Sequence, residues 1–379
     1  MASGSVTRDR AEWNRRIAAM RRRQKIARIR QWTLLAAGLA ILVMAVVLIV
    51  QVVRGGFGKD RSVDVVAEND LDRATGEGGI VIQPSLSEID AENEPEPVKP
   101  EFDNRSSIGL TYSYKEADNV EYLGNDNMTS LNAILVDADN GLITGSVDYK
   151  ARIYPASMTK VMTLLVAVEN TEDFDKKVLL SREAADYAFS KRLSAVDFAL
   201  GEEVTIKDLC YGTILPSGAD AAAELAIQVA GSMDDFVTLM NERAESLGIS
   251  GTTHFSNVSG SYDENNYSTC YDLAVIMNAA MDNEYCRQVL SAHKYTTSKT
   301  TEHPDGIEIS NWFLRRIEDK DTGGEVIGAK TGFVAESGNC AVSYYTSDTG
   351  RNYIAVTVNA HSAWRCIYDH VDIYKNHTE

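Results

Sequence analysis

Cysteine is scarce in this 379-residue chain: there are five, Cys210, Cys270, Cys286, Cys340 and Cys366, odd in number and with no Cys-x-x-Cys pair. That count is too low for a disulfide scaffold and rules out a framework in which every thiol is paired within the chain. Histidine is almost as rare. His254, His293, His303, His361, His370 and His377 form no His-Glu-x-x-His pair, which argues against a zinc peptidase, and no metal site is expected. A phosphate-binding glycine-rich loop is also missing, so no nucleotide or other cofactor is expected. Basic residues are outnumbered, 37 Lys and Arg against 55 Asp and Glu, for a formal charge of −18. Ten of those basic residues sit with two acids in residues 1–31, a net +8, which leaves −26 on the remainder. A body this acidic excludes nucleic acid as a partner.

What the chain does have is apolar residues, 44% of the total, enough to bury a core of enzyme size. One run stands apart. Residues 33–53 carry no formal charge over 21 positions, and at about 1.5 Å per helical residue that length crosses a hydrocarbon layer of about 30 Å. With Trp32 as an interfacial anchor, residues 32–53 read as one transmembrane helix. The basic residues 1–31 then form a cytoplasmic tail by the positive-inside rule, and everything after the span lies outside. A cleaved signal peptide is the competing reading, but its apolar stretch is shorter and ends in small residues, whereas Gln51-Val52-Val53-Arg54 offers no such site.

Residues 54–111 form an acidic linker. Between 60 and 103 there are 13 acids against three bases, and four of the seven prolines (Pro84, Pro95, Pro97 and Pro100) fall there. Too little apolar surface is present to offset the entropy of ordering such a stretch, so it is expected to be disordered. Residues 112–379 read as the catalytic domain. A strand pair opens it, 131–136 and 142–146 around an Asn140-Gly141 turn. Helical patterns follow over 158–169, 206–213, 219–229, 233–247 and 269–281, then strand-like runs over 325–330, 340–345 and 353–358, and a last helix over 363–374. Strands at both ends with helices between them predict an α+β domain whose terminal strands share one sheet, with a cleft at the junction.

Three short segments carry the chemistry. Ser157-Met158-Thr159-Lys160 puts a hydroxyl and an amine on one helical face, at the start of an apolar helix whose free N–H groups favour a developing oxyanion. The pattern is weak alone, because Ser291-Ala292-His293-Lys294 matches it too; that second copy has no apolar helix after it and reads as surface. Lys330-Thr331-Gly332, followed by Phe333, ends a strand-like run. It reads either as a strand end with a turn glycine or as a place where a substrate backbone approaches a strand edge beside a cation and a hydroxyl. Leu215-Pro216-Ser217-Gly218-Ala219-Asp220 reads either as a helix start or as a third wall of that site.

In this order, and over residues 130–379, these segments resemble the serine D-alanyl-D-alanine carboxypeptidases, the low-molecular-mass penicillin-binding proteins of peptidase family S11, with their Ser-x-x-Lys, Ser-x-Asn and Lys-Thr-Gly signatures. Val136-Asp137-Ala138, Met240-Asn241, Leu247-Gly248, Thr253-His254-Phe255 and Tyr267-Ser268-Thr269 extend the likeness. The resemblance implies a β-lactamase/transpeptidase-like fold, an antiparallel sheet flanked by helices. It implies peptidoglycan stem peptides as substrate and β-lactam antibiotics as inhibitors, with membrane attachment through the N-terminal helix. It also implies roles. Ser157 would be the acylated nucleophile and Lys160 its base, kept neutral by burial and by the charge of Lys330. Ser217 would relay a proton to the leaving group, Lys330 and Thr331 would hold the terminal carboxylate, and the N–H groups of Ser157 and Phe333 would form the oxyanion hole. One position departs: Ala219 stands where the family has Asn, and losing an amide contact to substrate costs about 1–3 kcal/mol. Two other readings stay open, a class A-like β-lactamase with a dedicated deacylating Glu and a catalytically weakened wall-binding module.

Overall fold

Three early strands and three late ones build the central sheet, and the late ones are the richer in β-branched and aromatic residues. The structure, a computed structural model, describes residues 103–125 and 127–379. The 32–53 span, the basic tail and nearly all of the predicted linker lie outside the described residues.

Strand β1 (Lys115–Tyr122) precedes β2 (Asn132–Asp137) and β3 (Leu142–Val147), the last two joined by the Asn140-Gly141 turn with Gly141 at φ +67°. A turn of 3₁₀ helix, Ala156–Met158, leads into α1 (Thr159–Glu169). Then come β4 (Lys177–Leu179), α2 (Arg182–Ser190), β5 (Glu203–Thr205), α3 (Ile206–Ile214), α4 (Ala219–Ala230), α5 (Met233–Ser246), α6 (Cys270–Asp282) and α7 (Glu284–Leu290). After the hairpin β6 (Lys294–Thr296) and β7 (Glu308–Ser310) and the single turn α8 (Leu314–Ile317), the chain closes the sheet with β8 (Gly324–Val334), β9 (Gly338–Ser347) and β10 (Asn352–Ala360), and ends in α9 (Ala363–His377).

The six-stranded sheet runs β1-β3-β2-β10-β9-β8. An early strand and the last one meet at the middle, where β2 pairs antiparallel with β10, Ile134 opposite Val356 and Leu135 opposite Ala355. β1 pairs parallel with β3, so the sheet is mixed, a departure from the expected antiparallel one at a single edge. Helices pack on both faces, which is why β2 and β10 are buried almost throughout instead of alternating. On one face Ala133, Leu135, Ala341, Tyr345 and Ala355 form a core with Cys366, Ile367, Ile373 and Tyr374 of α9; α6 covers the other. α1 is buried at every position and sits among α3, α4, α5, α6 and α7, as an apolar helix without a polar face must. All five cysteines are buried free thiols, used as small apolar side chains.

The last residues of the predicted linker pack onto the domain. Ser107 is fully buried and donates its hydroxyl to Glu169 Oε1 at 2.8 Å. That carboxylate also pairs with Arg243 at 2.8 Å, so both buried charges have partners.

Candidate active site

The cleft lies where β8, the edge strand, faces the start of α1. Pro155 fixes the approach, and Ala156 adopts a left-handed backbone at φ +48° that turns the chain sharply into the helix. This places Ser157 at the mouth of α1 and Lys160 one turn inside it. Lys160 Nζ donates to Ser157 Oγ at 3.0 Å and to the carbonyl of Ser259 at 2.6 Å, and is only 2% exposed. Burial drives the Lys160 pKa well below the ordinary lysine value, and the neighbouring Lys330 charge pushes it the same way; Asp220 opposes both.

Lys330 comes from β8. Its Nζ donates to Ser217 Oγ at 2.9 Å and to the Thr331 carbonyl at 2.7 Å. It too is 2% exposed, and burial lowers its pKa to about 7. Ser217 is held at φ +63° in the bend before α4. The bend is closed by Gly218 N donating to the Gly212 carbonyl at 2.9 Å, and just beyond it the Asp220 carboxylate ties α4 to the preceding loop, accepting from Val196 N at 2.9 Å and Asp197 N at 3.2 Å.

Sequence-predicted residues therefore converge: Ser157, Lys160, Ser217, Thr331, Gly332 and Phe333 line one cleft of about 350 Å³, and Lys330 lies buried against Ser217. Ala219 does not. It is the first residue of α4, wholly buried, with its N–H donated to the Ser194 carbonyl at 2.7 Å, and it is not among the lining residues. Lys294, from the second Ser-x-x-Lys match, lies in β6 and pairs with Glu308 at 2.9 Å, with about half of its side chain exposed.

One wall escaped the sequence reading. The loop Ser256–Ser261 is gathered by Asn257, whose Oδ1 accepts from Ser259 N at 3.2 Å, Gly260 N at 2.7 Å and Ser261 N at 3.1 Å. It delivers the Ser259 carbonyl to Lys160, and the Ser259 hydroxyl lies 2.7 Å from Tyr187 OH of α2. Gly260 is required by space: at φ +76°, a Cβ there would fall 1.7 Å from the Ala156 carbonyl oxygen. Gly332 is crowded by the same turn, its hypothetical Cβ 3.0 Å from Ser157 N. The Ser-Asn-Val-Ser-Gly-Ser run was readable as a turn, but nothing local says which helix it touches.

Comparisons with known proteins point one way. Residues 119–362 match the family model described as D-alanyl-D-alanine carboxypeptidase. The chain is 28% identical over 208 residues to the D-alanyl-D-alanine carboxypeptidase DacF of Bacillus subtilis, covering 55% of this chain and 52% of that protein. It is 33% identical over 199 residues to the D-alanyl-D-alanine carboxypeptidase of a Streptomyces species, strain K15, covering 49% and 66%. This chain thus spans about half to two thirds of the length of those curated relatives. Among solved structures it is similar to the Streptomyces K15 DD-transpeptidase, with a TM-score of 0.59, 28% identity, and coverage of 65% of this chain and 95% of that one. It is also similar to penicillin binding protein 5 from Haemophilus influenzae, with a TM-score of 0.58, 26% identity, and 65% and 70% coverage. Sequence model, fold and the paired serine and lysine at the cleft agree, and the chain belongs to the D-alanyl-D-alanine carboxypeptidase family of serine peptidases, peptidase family S11.

Proposed function

We propose that this protein removes the terminal D-alanine from peptidoglycan stem peptides through an acyl-enzyme on Ser157, and that β-lactams acylate the same hydroxyl. The observation that carries this reading is the buried Lys160 amine 3.0 Å from Ser157 Oγ. As a neutral amine it keeps two N–H bonds, one donated to the Ser259 carbonyl at 2.6 Å, and has one lone pair left for the Ser157 proton. The Ser157 oxygen then attacks the carbonyl of the penultimate residue. The oxyanion is held by the N–H groups of Ser157 and Phe333. Collapse breaks the peptide bond, and the proton that Lys160 took from Ser157 passes through Ser217, bridged to Lys330, to the leaving amine, which returns Lys160 to its neutral form and leaves Ser217 a hydroxyl. Water then attacks the acyl ester, with Lys160 taking its proton and handing it to Ser157 Oγ as the acid is released. Lys330 and Thr331 hold the terminal carboxylate of a peptide laid antiparallel along the β8 edge, so its upstream residues run past Phe333 toward Val334.

The alternatives fare less well. A β-lactamase of the class A kind needs a carboxylate to activate the deacylating water, and the residues lining the described cleft include no Asp or Glu. A silent module has no use for a desolvated lysine beside an accessible serine. On this reading residues 32–53 anchor the enzyme in the cell membrane, amino terminus inside, and the acidic residues that follow, up to about 102, hold the domain out toward the wall.

Mass spectrometry of the full chain with a stem pentapeptide tests the proposal. Wild type is expected to remove one D-alanine and to take up labelled penicillin with an acyl lifetime of minutes or longer. Ser157→Ala is expected to do neither. Wild-type protein that folds but neither cleaves nor labels would sink the reading; release of penicilloyl within a second would move it to the lactamase.

A further inference from the structure

The core explains most large side chains of α9 but not two of them. Cys366, Ile367, His370, Ile373 and Tyr374 face the sheet and are buried, whereas Trp364 and Tyr368, four residues apart on the outward face, are 49% and 45% exposed. Their rings lie 6.5 Å apart between centroids. Trp312, before α8, stands 5.9 Å from Trp364, and the Arg316 guanidinium sits over both rings, 4.2 Å from Trp312 and 5.7 Å from Trp364. Isolated exposed aromatics are ordinary; two on one helix face, continued by the half-buried Trp312 and braced by a cation, mark a contact surface. This surface is continuous with the candidate active site, because Trp312 and Ala363 line the cleft together with Phe333, itself 64% exposed.

We propose that Trp312, Trp364 and Tyr368, braced by Arg316, form a carbohydrate subsite that takes the glycan strand bearing the stem peptide. This rests on the proposed carboxypeptidase reading. Ring faces carry negative electrostatic potential and attract the polarised C–H bonds of a pyranose face, while Arg316 supplies N–H donors for sugar hydroxyl and acetamido oxygens. Reach supports the assignment. Four residues upstream of the scissile bond extend at most about 14 Å, so the sugar that carries the peptide must lie close to the cleft mouth, and this aromatic row starts at the cleft wall. The subsite would favour a peptide still attached to its glycan over the same peptide free in solution.

The test compares the full chain acting on a free stem pentapeptide and on that pentapeptide linked to its N-acetylated disaccharide. The linked substrate is expected to have a kcat/KM about five- to tenfold higher, the scale of one or two good aromatic contacts. Trp364→Ala and Tyr368→Ala are each expected to reduce that ratio, and the double variant to bring it to one, with the free pentapeptide rate and penicillin acylation unchanged. A wild-type ratio of one, or a ratio the double variant leaves intact, overturns the subsite. Quenching of tryptophan fluorescence by chitotetraose in Ser157→Ala separates the two readings. Quenching that Trp364→Ala abolishes supports the subsite even if no peptide is cleaved, and no quenching counts against it even if cleavage is normal.

Discussion

The charge on two buried amines decides what Ser157 can do, and their opposite requirements give a pH profile. Lys160 must be neutral to act as a base, so kcat/KM should rise with pH as Lys160, held low by burial and by Lys330, loses its proton. Lys330 must be charged to hold a carboxylate, and its pKa lies at about 7 in the empty site. The alkaline limb of kcat/KM is therefore expected near pH 7. In kcat it should move to higher pH, because a bound carboxylate stabilises the ammonium form. A kcat/KM that stays flat up to pH 9 would mean either that Lys330 keeps its proton to that pH or that it does not hold the carboxylate. Gly260 gives a second check at this scale. Gly260→Ala forces the Ser259–Gly260 loop off the Ala156 carbonyl and is expected to slow penicillin acylation about a hundredfold, the usual cost of displacing a reacting group by about 1 Å. Gly231→Ala is the control: φ is +86° there too, but nothing lies within 4 Å of the added Cβ, so it should cost about 1–2 kcal/mol of stability and leave acylation alone. Normal acylation by Gly260→Ala would show that this loop does not set the position of Ser157. Ser157 and Lys160 were legible because they lie three residues apart, and Ser217 and Lys330 because their short motifs, in that chain order, resemble a known family. Ser259 and Tyr187 were not legible, because their only relation to Lys160 is through space.

Elements were readable in proportion to how much apolar surface they bury. α1, α4 and α6, β2 and β10 announce themselves by apolar runs, and their observed limits fall within a few residues of expectation. β1, with the sequence Lys-Glu-Ala-Asp-Asn-Val-Glu-Tyr and mostly exposed positions, has no such run, since an edge strand is held by backbone pairing alone. α2 buries only Ala184, Ala185 and Ala188, too little for a clear period. The small hairpin of β6 and β7 depends on a group far away in sequence. Asp208, in the first turn of α3, closes a capping box with Thr205, accepting from its N–H at 3.0 Å and its hydroxyl at 2.7 Å. Its other oxygen accepts from Tyr295 OH at 2.8 Å and Ser298 N at 2.9 Å. One fully buried carboxylate thus joins a helix start to a hairpin. Asp208→Ala strands several donors at once and is expected to cost about 3–5 kcal/mol. Chemical denaturation measures this, with penicillin acylation of the folded fraction retained. A loss below 1 kcal/mol would mean that water replaces the carboxylate and that the hairpin does not depend on it.

For the molecule as a whole, the α+β class followed from the chain order, while the parallel edge and the docking of residues 106 and 107 did not, because the first is decided by pairing with β3 and the second by contacts with the distant Glu169 and Asp282. The same contacts between distant segments govern how the fold responds to acid. His370 is fully buried between the sheet and α9, with Nδ1 2.8 Å from Ser343 Oγ and Nε2 2.9 Å from Thr357 Oγ1. Burial lowers its pKa from 6.5 to about 3. Because the folded value lies below the unfolded one, its neutral form supports the fold fully above pH 6.5, and that support is lost as pH falls. Between pH 6.5 and about 3 the unfolded chain binds a proton that the native one refuses, at about 1.4 kcal/mol per pH unit. Buried carboxylates with raised pKa values, Glu169, Asp220 and Asp272, act with the opposite sign over part of this range, so the wild-type curve alone does not isolate the histidine. His370→Gln keeps a neutral donor and acceptor without the titration. Its stability deficit against wild type, measured by denaturation at each pH, is expected to shrink by about 3 kcal/mol between pH 6 and pH 4. Two curves that stay parallel over that interval would mean that His370 is protonated in the native state, or that its pocket admits water.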